Sequence, residues 1–212
     1  MPKEKDMPLP GTKLDRQAFT KYLVFETAFS YSYFNHLFND ITDDCSFEGL
    51  CNFIDKNKPR HLYNELDIRR VHFELTSFVF LIIMIDLSIN SFPRDIIDLY
   101  YSKTLYYLYD AATKQKTDLL LYHVNTGESK DINPVVLENL KGLFGNRILQ
   151  YNDIISNNTD YSLCVSSLCK LLVNNLAGCD IFKPEHLVLF GEFYKSIGEI
   201  AGYYMLNYPL KY

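Results

Sequence analysis

The sequence of residues 78–89, Phe-Val-Phe-Leu-Ile-Ile-Met-Ile-Asp-Leu-Ser-Ile, decides the fold of this chain. It lies in a longer segment, 61–90, that contains no proline and no glycine, the residues that most often interrupt a helix. We therefore predict a central helix of about eight turns over residues 61–90. Its second half is apolar on every side except at Asp86 and Ser88, so we expect other helices to enclose it.

Asp86 is the unusual residue of this segment. An ionised carboxylate buried without a partner is costly, so Asp86 should be salt-bridged, hydrogen-bonded, protonated or bound to a metal. In the structural interpretation it ties the central helix to a neighbour, and in the functional one it is the floor of a binding pocket. Replacing Asp86 by Asn tests this, because a loss of thermal stability with no change in ligand binding favours the structural role.

A polar stripe extends along the predicted central helix. At about 100° per residue its members fall within roughly 100° of one another. They are His61, Glu65, Arg69, His72, Thr76, Asp86 and Asn90. His72 and Arg69 would then form the rim of a pocket whose floor is Asp86. A second polar face, which includes Glu74, lies opposite in the N-terminal half only.

The remaining sequence predicts further helices around this one. We expect a flexible N-terminal arm over 1–11 and a single helical domain over 12–212, since 212 residues fit one domain. Capping residues, prolines and apolar spacing set the predicted bounds. The helices are expected near 12–40, 45–55, 93–108, 133–151, 160–177 and from 184 onward. The fold class is therefore mainly α, a single-domain bundle of six or seven helices.

Residues 104–126 are ambiguous. Both Thr104-Leu-Tyr-Tyr-Leu-Tyr109 and Leu119-Leu-Leu-Tyr-His-Val124 are rich in residues that favour strands, and the polar residues 113–118 could form the turn of a β-hairpin. A continuation of the preceding helix explains the first run equally well, because short apolar runs fit both patterns.

Charge and cysteine content restrict the partners. The net charge is −5 and no lysine or arginine cluster is present, so we expect neither nucleic acid nor a membrane surface as a partner. The run at 78–89 is too short to span a bilayer, and Glu74, His72 and Arg70 precede it. Five cysteines without a Cys-x-x-Cys pair indicate reduced thiols, and the N-terminus does not resemble a secretory signal. We therefore expect a cytoplasmic protein.

The aromatic residues are 17 tyrosines and 15 phenylalanines, with no tryptophan. Tyrosine-dense patches include Tyr100, Tyr101 and Tyr106. Such rings either provide contact area at a binding surface or fill the interfaces between helices with their hydroxyl groups reaching water. With Asp86, His72 and Arg69, these three tyrosines are the candidate binding residues.

Asn152, Ser156 and Asp160 recur at every fourth position. The segment resembles the second magnesium-binding motif of class I terpene synthases, and Asp43 with Asp44 could act as that family's first acidic motif. The resemblance covers barely a dozen residues and would imply a metal-dependent helical enzyme. A polar turn between two helices explains the same residues.

No motif predicts catalysis with a cofactor. The chain has no phosphate-binding glycine loop, no nucleophile elbow and no Glu-x-x-His pair for a metal in a helical bundle, so we predict no catalytic residue, metal or cofactor. The sequence favours a non-enzymatic binding or regulatory module that recognises a protein partner, or itself as an oligomer, through aromatic-rich helical surfaces. A protein with a pocket for a hydrophobic small molecule is the alternative.

Overall fold

The computed structural model describes the side chains and backbone of the chain in several separate ranges. These are residues 11–24, 27, 68–114, 132–177, 180, 182, 184, 187, 190, 191, 194, 195, 197–199, 202 and 207, with only the backbone described at 68–72, 111, 114 and 177. Most of the described residues are helical and none of them forms a β-strand. The predicted multi-helix bundle is thereby confirmed.

Five helices can be followed along the described residues. They are α1 (16–24), α2 (Ile68–Ile89), α3 (Arg94–Lys114), α4 (Pro134–Asn157) and α5 (Tyr161–Ala177). Helical residues also recur between 187 and 207 in the C-terminal segment. The predicted arm over 1–10 and the predicted helix over 45–55 lie outside the described residues. None of the described helices is both long enough and apolar enough to span a membrane.

Helix α2 is the centre of the bundle. It packs against α3, α4 and α5, and α4 lies between α3 and α5 because it contacts both. Every residue from Glu74 to Ile83 is buried, so the predicted enclosure is confirmed for the middle of α2 but is wrong for its last turn, where Ile89 is exposed. The enclosure weakens after Ile83, since Met84, Ile85 and Asp86 are only partly buried.

Helix α1 packs against the start of α3. The Phe19 ring stacks on Phe92 with ring centroids 5.5 Å apart, and Arg16 forms an ion pair with Asp95. The predicted start at Thr12 was wrong by about one turn. Asp15 caps the helix instead, because its Oδ1 accepts a hydrogen bond of 2.8 Å from the Ala18 amide.

The connection between α2 and α3 is tight. Ser91 has a φ of 58°, in the left-handed region, and the Phe92 amide donates to the Leu87 carbonyl at 3.0 Å. This is the geometry in which a chain commonly leaves a helix. The predicted break at Ser91-Phe92-Pro93 is confirmed.

Residues 104–114 belong to α3, so of the two alternatives for the first run, helix and strand, the helix is correct. Thr104, Leu105 and Leu108 are buried at helical spacing, and packing of this face against α2 and α4 explains why the strand-favouring residues are helical. The second half of the predicted hairpin, from 115 to 126, lies outside the described residues.

The caps of α4 and α5 confirm the predicted starts. The Asn133 side chain accepts from the amides of Val135 and Val136 ahead of Pro134, and the Asp160 Oδ1 accepts from the Leu163 amide at 3.0 Å. These side chains satisfy amides that have no partner inside the helix.

Candidate functional site

Asp86 lies near the C-terminal end of α2, where solvent reaches it. Its backbone carbonyl accepts from the amide and the side chain of Asn90, but among the described residues its carboxylate has no ion pair or hydrogen bond. Partial burial raises the pKa of this carboxyl. The expectation of an obligatory partner rested on complete enclosure, whereas α2 is enclosed on only one side here: Leu87 is fully buried and Asp86 only partly.

Asp86 lies close enough to Tyr194 of the C-terminal segment for its charge to influence that hydroxyl. Burial raises the pKa of the Tyr194 hydroxyl, and the neighbouring Tyr161, Asp86 and Cys164 raise it further. Asp86 therefore lies close to a partly exposed group of residues rather than deep in the core.

His72 and Arg69 lie in the first turns of α2, but their side chains are outside the described part of the structure. The pocket predicted between these two residues and Asp86 therefore stays a prediction.

The three candidate tyrosines have different environments. Tyr100 is fully buried, and its hydroxyl shares a hydrogen bond of 2.5 Å with Thr27. Tyr101 is half-buried and stacks on Phe144 with ring centroids 5.5 Å apart. Tyr106 is the most exposed of the three, with 37% of its surface accessible to solvent. The structure therefore does not bring the three together on one surface.

Most described aromatic rings build the core. Tyr100 and Phe80 stack at 4.7 Å, and Tyr151 meets Phe78 edge-on at 5.3 Å. Burial raises the pKa of both tyrosine hydroxyls. In the described part of the chain, tyrosines such as these two therefore serve packing between helices, and their hydroxyl groups bond inside the protein rather than to water.

The buried polar cluster, consisting of Glu74, Arg147, Tyr151 and Asn175, was not predicted from the sequence. Glu74 on α2 is 2% exposed, and its Oε1 lies 2.8 Å from an Arg147 guanidinium nitrogen on α4. The Tyr151 hydroxyl donates to Glu74 at 3.4 Å and accepts from Asn175 of α5 at 3.5 Å. The cluster therefore joins three helices.

Burial dominates the electrostatics of this cluster. It raises the pKa of Glu74 from its ordinary value of 4.5 to about 7, although the Arg147 charge and the hydrogen bonds act in the opposite direction. Arg147 remains partly exposed, its Nε has no hydrogen-bond partner among the described residues, and another of its nitrogens donates to the exposed Gln150 at 2.6 Å. A chain of polar contacts thus extends from the partly buried Asn175 through the buried Glu74 and Tyr151 to the surface of α4.

The cluster left one signal in the sequence. Arg147 and Tyr151 are one turn apart on a helix, so both project toward the same side. Which carboxylate they contact depends on how α4 is placed against α2, and α2 carries two candidates, Glu74 and Asp86. From the sequence alone, Asp86 was the preferred candidate because it lies in the more apolar segment.

The outer side of α4 carries a surface that sequence reasoning also missed. At about 100° per residue, seven exposed residues fall within roughly 120° of one another. This α4 face consists of Val135, Asn139, Gly142, Leu143, Asn146, Leu149 and Gln150. It contains no charged residue, whereas a solvated helix face normally carries charges. Three of its members are exposed aliphatic side chains, Val135 at 66%, Leu143 at 61% and Leu149 at 58%.

The residues that resemble a magnesium-binding motif do not share a helix. Asn152 and Ser156 lie near the end of α4, which ends at Asn157, whereas Asp160 caps α5. The segment is therefore the polar turn between two helices that was the alternative explanation of these residues. Within the described ranges, no group of three histidine, cysteine or acidic side chains is placed to hold a metal ion.

Comparisons with protein-family models, with curated proteins and with solved structures found no match to this chain. The α4 face and the helices that support it are therefore the basis for proposing a function.

Proposed function

We propose that this chain is a non-enzymatic binding module that recognises a protein partner through the α4 face. The supporting observation is the absence of charge over seven exposed residues that include three exposed aliphatic side chains. Depletion of charged residues distinguishes the centre of protein interfaces from the rest of a protein surface. The aromatic surfaces expected from the sequence are replaced in this proposal by an aliphatic one.

The shape of the surface favours a protein rather than a small molecule. Ligands of low molecular weight bind in concave pockets, whereas the α4 face is the outer side of a helix. A helix face of this kind is typically covered by a second helix with an apolar stripe. The proposed partner is therefore a protein segment that is helical, apolar and uncharged along its contact face.

The buried polar cluster supports this function by fixing α4. Arg147 and Tyr151 connect the inner side of α4 to Glu74 on α2, and Asn175 connects the same group to α5. A surface that is rigid before binding loses less conformational entropy when the partner binds. A regulatory role in the cytoplasm is part of the proposal and is supported by the reduced cysteines expected from the sequence.

The proposal is tested by photo-crosslinking in cells. A photoreactive amino acid at Asn146 on the α4 face should give a discrete crosslinked species, whereas the same amino acid at the exposed Lys170 on α5 should not. Leu143→Asp should abolish the crosslink because it places a charge at the centre of the face. Leu163→Asp is the matched control, since Leu163 is also 61% exposed but lies on α5.

A crosslink that survives Leu143→Asp, or the absence of any crosslink at Asn146, would contradict the proposal. The hydrophobic-ligand pocket near Asp86 and the metal-dependent enzyme stay alternatives that were predicted from the sequence alone.

A further inference from the structure

We infer that the partner of the α4 face is a second copy of this chain, which binds through an antiparallel pairing of two α4 helices about a twofold axis. This inference rests on the proposed function, because it names the occupant of the same surface. It follows from the order of residues along the face, from their charge and from their exposure.

The order of residues along the α4 face reads nearly the same in both directions. In chain order the residue types are aliphatic, Asn, Gly-Leu, Asn and aliphatic. The residues are Val135, Asn139, Gly142 with Leu143, Asn146 and Leu149. The centre lies between residues 142 and 143. A twofold interface requires such self-complementarity, because each copy presents the same patch to the other.

An antiparallel pairing about this centre matches residues of like character. The two Leu143 side chains meet near the axis, and Asn139 of each copy lies level with Asn146 of the other, where their amides can hydrogen-bond. Leu149 of each copy lies within about 1.5 Å, one residue's rise, of the level of Val135 in the other. Most apolar groups therefore meet apolar groups and the Asn amides meet each other, while Gln150 of each copy lies level with Val135 of the other at the ends of the contact.

Gly142 permits the two helices to approach closely. A methyl group added at Gly142 or at Gly145 would meet no other atom of the chain within 4 Å, so neither glycine is required by the fold of the monomer. Gly142 lies on the α4 face beside Leu143. Gly145 lies on a different side of the helix.

Charge favours a second copy at this surface. Two copies carry the same net charge of −5 and repel each other, so they associate most readily where neither presents a charge. The α4 face is uncharged over residues 135–150; Glu138 lies just outside it, and the exposed Asp153 lies on the same side of α4 but beyond the C-terminal end of the contact. Each copy contributes one helix face about 23 Å long, which buries less surface than most stable interfaces do. The dimer should therefore be weak, with a dissociation constant on the order of 100 µM.

Sedimentation velocity on the full chain tests the inference. From about 10 µM to about 1 mM, the wild type should change from monomer to dimer. Leu143→Asp should remain monomeric throughout this range, whereas Leu163→Asp should dimerise as the wild type does. Gly142→Ala should raise the dissociation constant at least about tenfold, and Gly145→Ala, which gives the same gain in helix propensity, should leave it unchanged.

The antiparallel orientation is tested by oxidation of single cysteine variants. Leu143→Cys should form a disulfide between two copies, because position 143 meets itself near the axis. Val135→Cys should not, since in this arrangement the two copies of position 135 are about 22 Å apart along the helices. The wild type under the same oxidation gives the background from the native cysteines.

A wild type that is monomeric at about 1 mM, or a dimer that is unaffected by Leu143→Asp, would overturn the inference. Disulfide formation by Val135→Cys alone would overturn the antiparallel orientation. If the chain stays monomeric but Asn146 still crosslinks to a different protein, only the identity of the partner is wrong. If neither dimer nor crosslink is found, the proposed function fails as well.

Discussion

Glu74 and Asp86 are carboxylates on the same helix, about three turns apart, and their environments differ. Glu74 is buried between three helices and has Arg147 and Tyr151 as partners. Asp86 lies where the enclosure of α2 ends, and solvent reaches it. The acid that is buried with partners is therefore Glu74, whereas the acid surrounded by apolar residues in the sequence is Asp86.

Replacing Glu74 by Gln should change how stability depends on pH. Because burial raises the pKa of Glu74 to about 7, the folded protein binds more protons than the unfolded chain between about pH 4.5 and 7. The stability contributed by Glu74 is fully present below this range and is lost as the pH rises through 7. The free energy of unfolding of the wild type should therefore fall relative to Glu74→Gln between about pH 5 and pH 8, by at most about 3 kcal/mol.

Urea denaturation at several pH values measures this difference. Glu138→Gln on α4 is the matched control for removing a carboxylate, because Glu138 is largely exposed. A wild type that gains stability relative to Glu74→Gln as the pH rises would show that the ion pair with Arg147 outweighs burial.

Replacing Asp86 by Asn should stabilise the protein at neutral pH. Asp86 lies in the last turn of α2, where a negative charge is repelled by the helix dipole, and its partial burial is also unfavourable for the charge. We expect thermal denaturation to show a gain of up to about 1 kcal/mol at about pH 7 and none at about pH 3, where the acid is protonated.

Asp153→Asn serves as the comparison for Asp86→Asn. Asp153 lies close to the C-terminal end of α4 but is exposed, so its replacement measures the dipole effect without burial. A loss of more than about 1 kcal/mol in Asp86→Asn would instead support the structural tie that the sequence suggested.

At the scale of the elements, capping residues gave the most reliable predictions. Asn133 before Pro134 caps α4 as expected, and α5 begins where expected, with Asp160 as its cap, because capping depends on contacts within one turn. The start of α1 was assigned to Thr12 because the sequence offers two polar candidates, and the chain uses Asp15. The continuation of α3 to Lys114 depended on tertiary packing, and local propensity alone did not decide it.

Asn133→Ala should destabilise the protein by about 1 kcal/mol, because the amides of Val135 and Val136 lose their acceptor. Thermal denaturation by circular dichroism measures this. Asn139→Ala on the same helix should change stability by less than about 0.5 kcal/mol when measured at a concentration that keeps the protein monomeric. Equal effects of the two substitutions would contradict a capping role for Asn133.

At the scale of the whole molecule, aromatic rings connect the helices. Phe144 of α4 contacts Phe80 of α2 at 5.2 Å and Tyr101 of α3 at 5.5 Å, and it is fully buried. These contacts link elements that are distant in sequence. We therefore expect α2, α3 and α4 to unfold together.

Phe144→Ala should cost about 3–5 kcal/mol, because it leaves a cavity at the junction of three helices. Leu149→Ala, on the exposed side of the same helix, should cost less than about 0.5 kcal/mol. Urea denaturation followed by far-UV circular dichroism and by tyrosine fluorescence measures both. Transitions that do not coincide between the two probes would contradict cooperative unfolding.

The sequence by itself determined the helical class, the buried middle of α2, the break near Ser91, the cap of α4 and the start of α5. These features follow from the spacing of apolar residues and from contacts within a single turn, which neighbouring residues contain in full. Only the tertiary structure decided that Glu74 meets Arg147, Tyr151 and Asn175, that Asp86 is partly solvated, and that one side of α4 remains uncovered. Each of these depends on how helices far apart in the chain are rotated and placed against one another, because burial is a property of the assembled bundle.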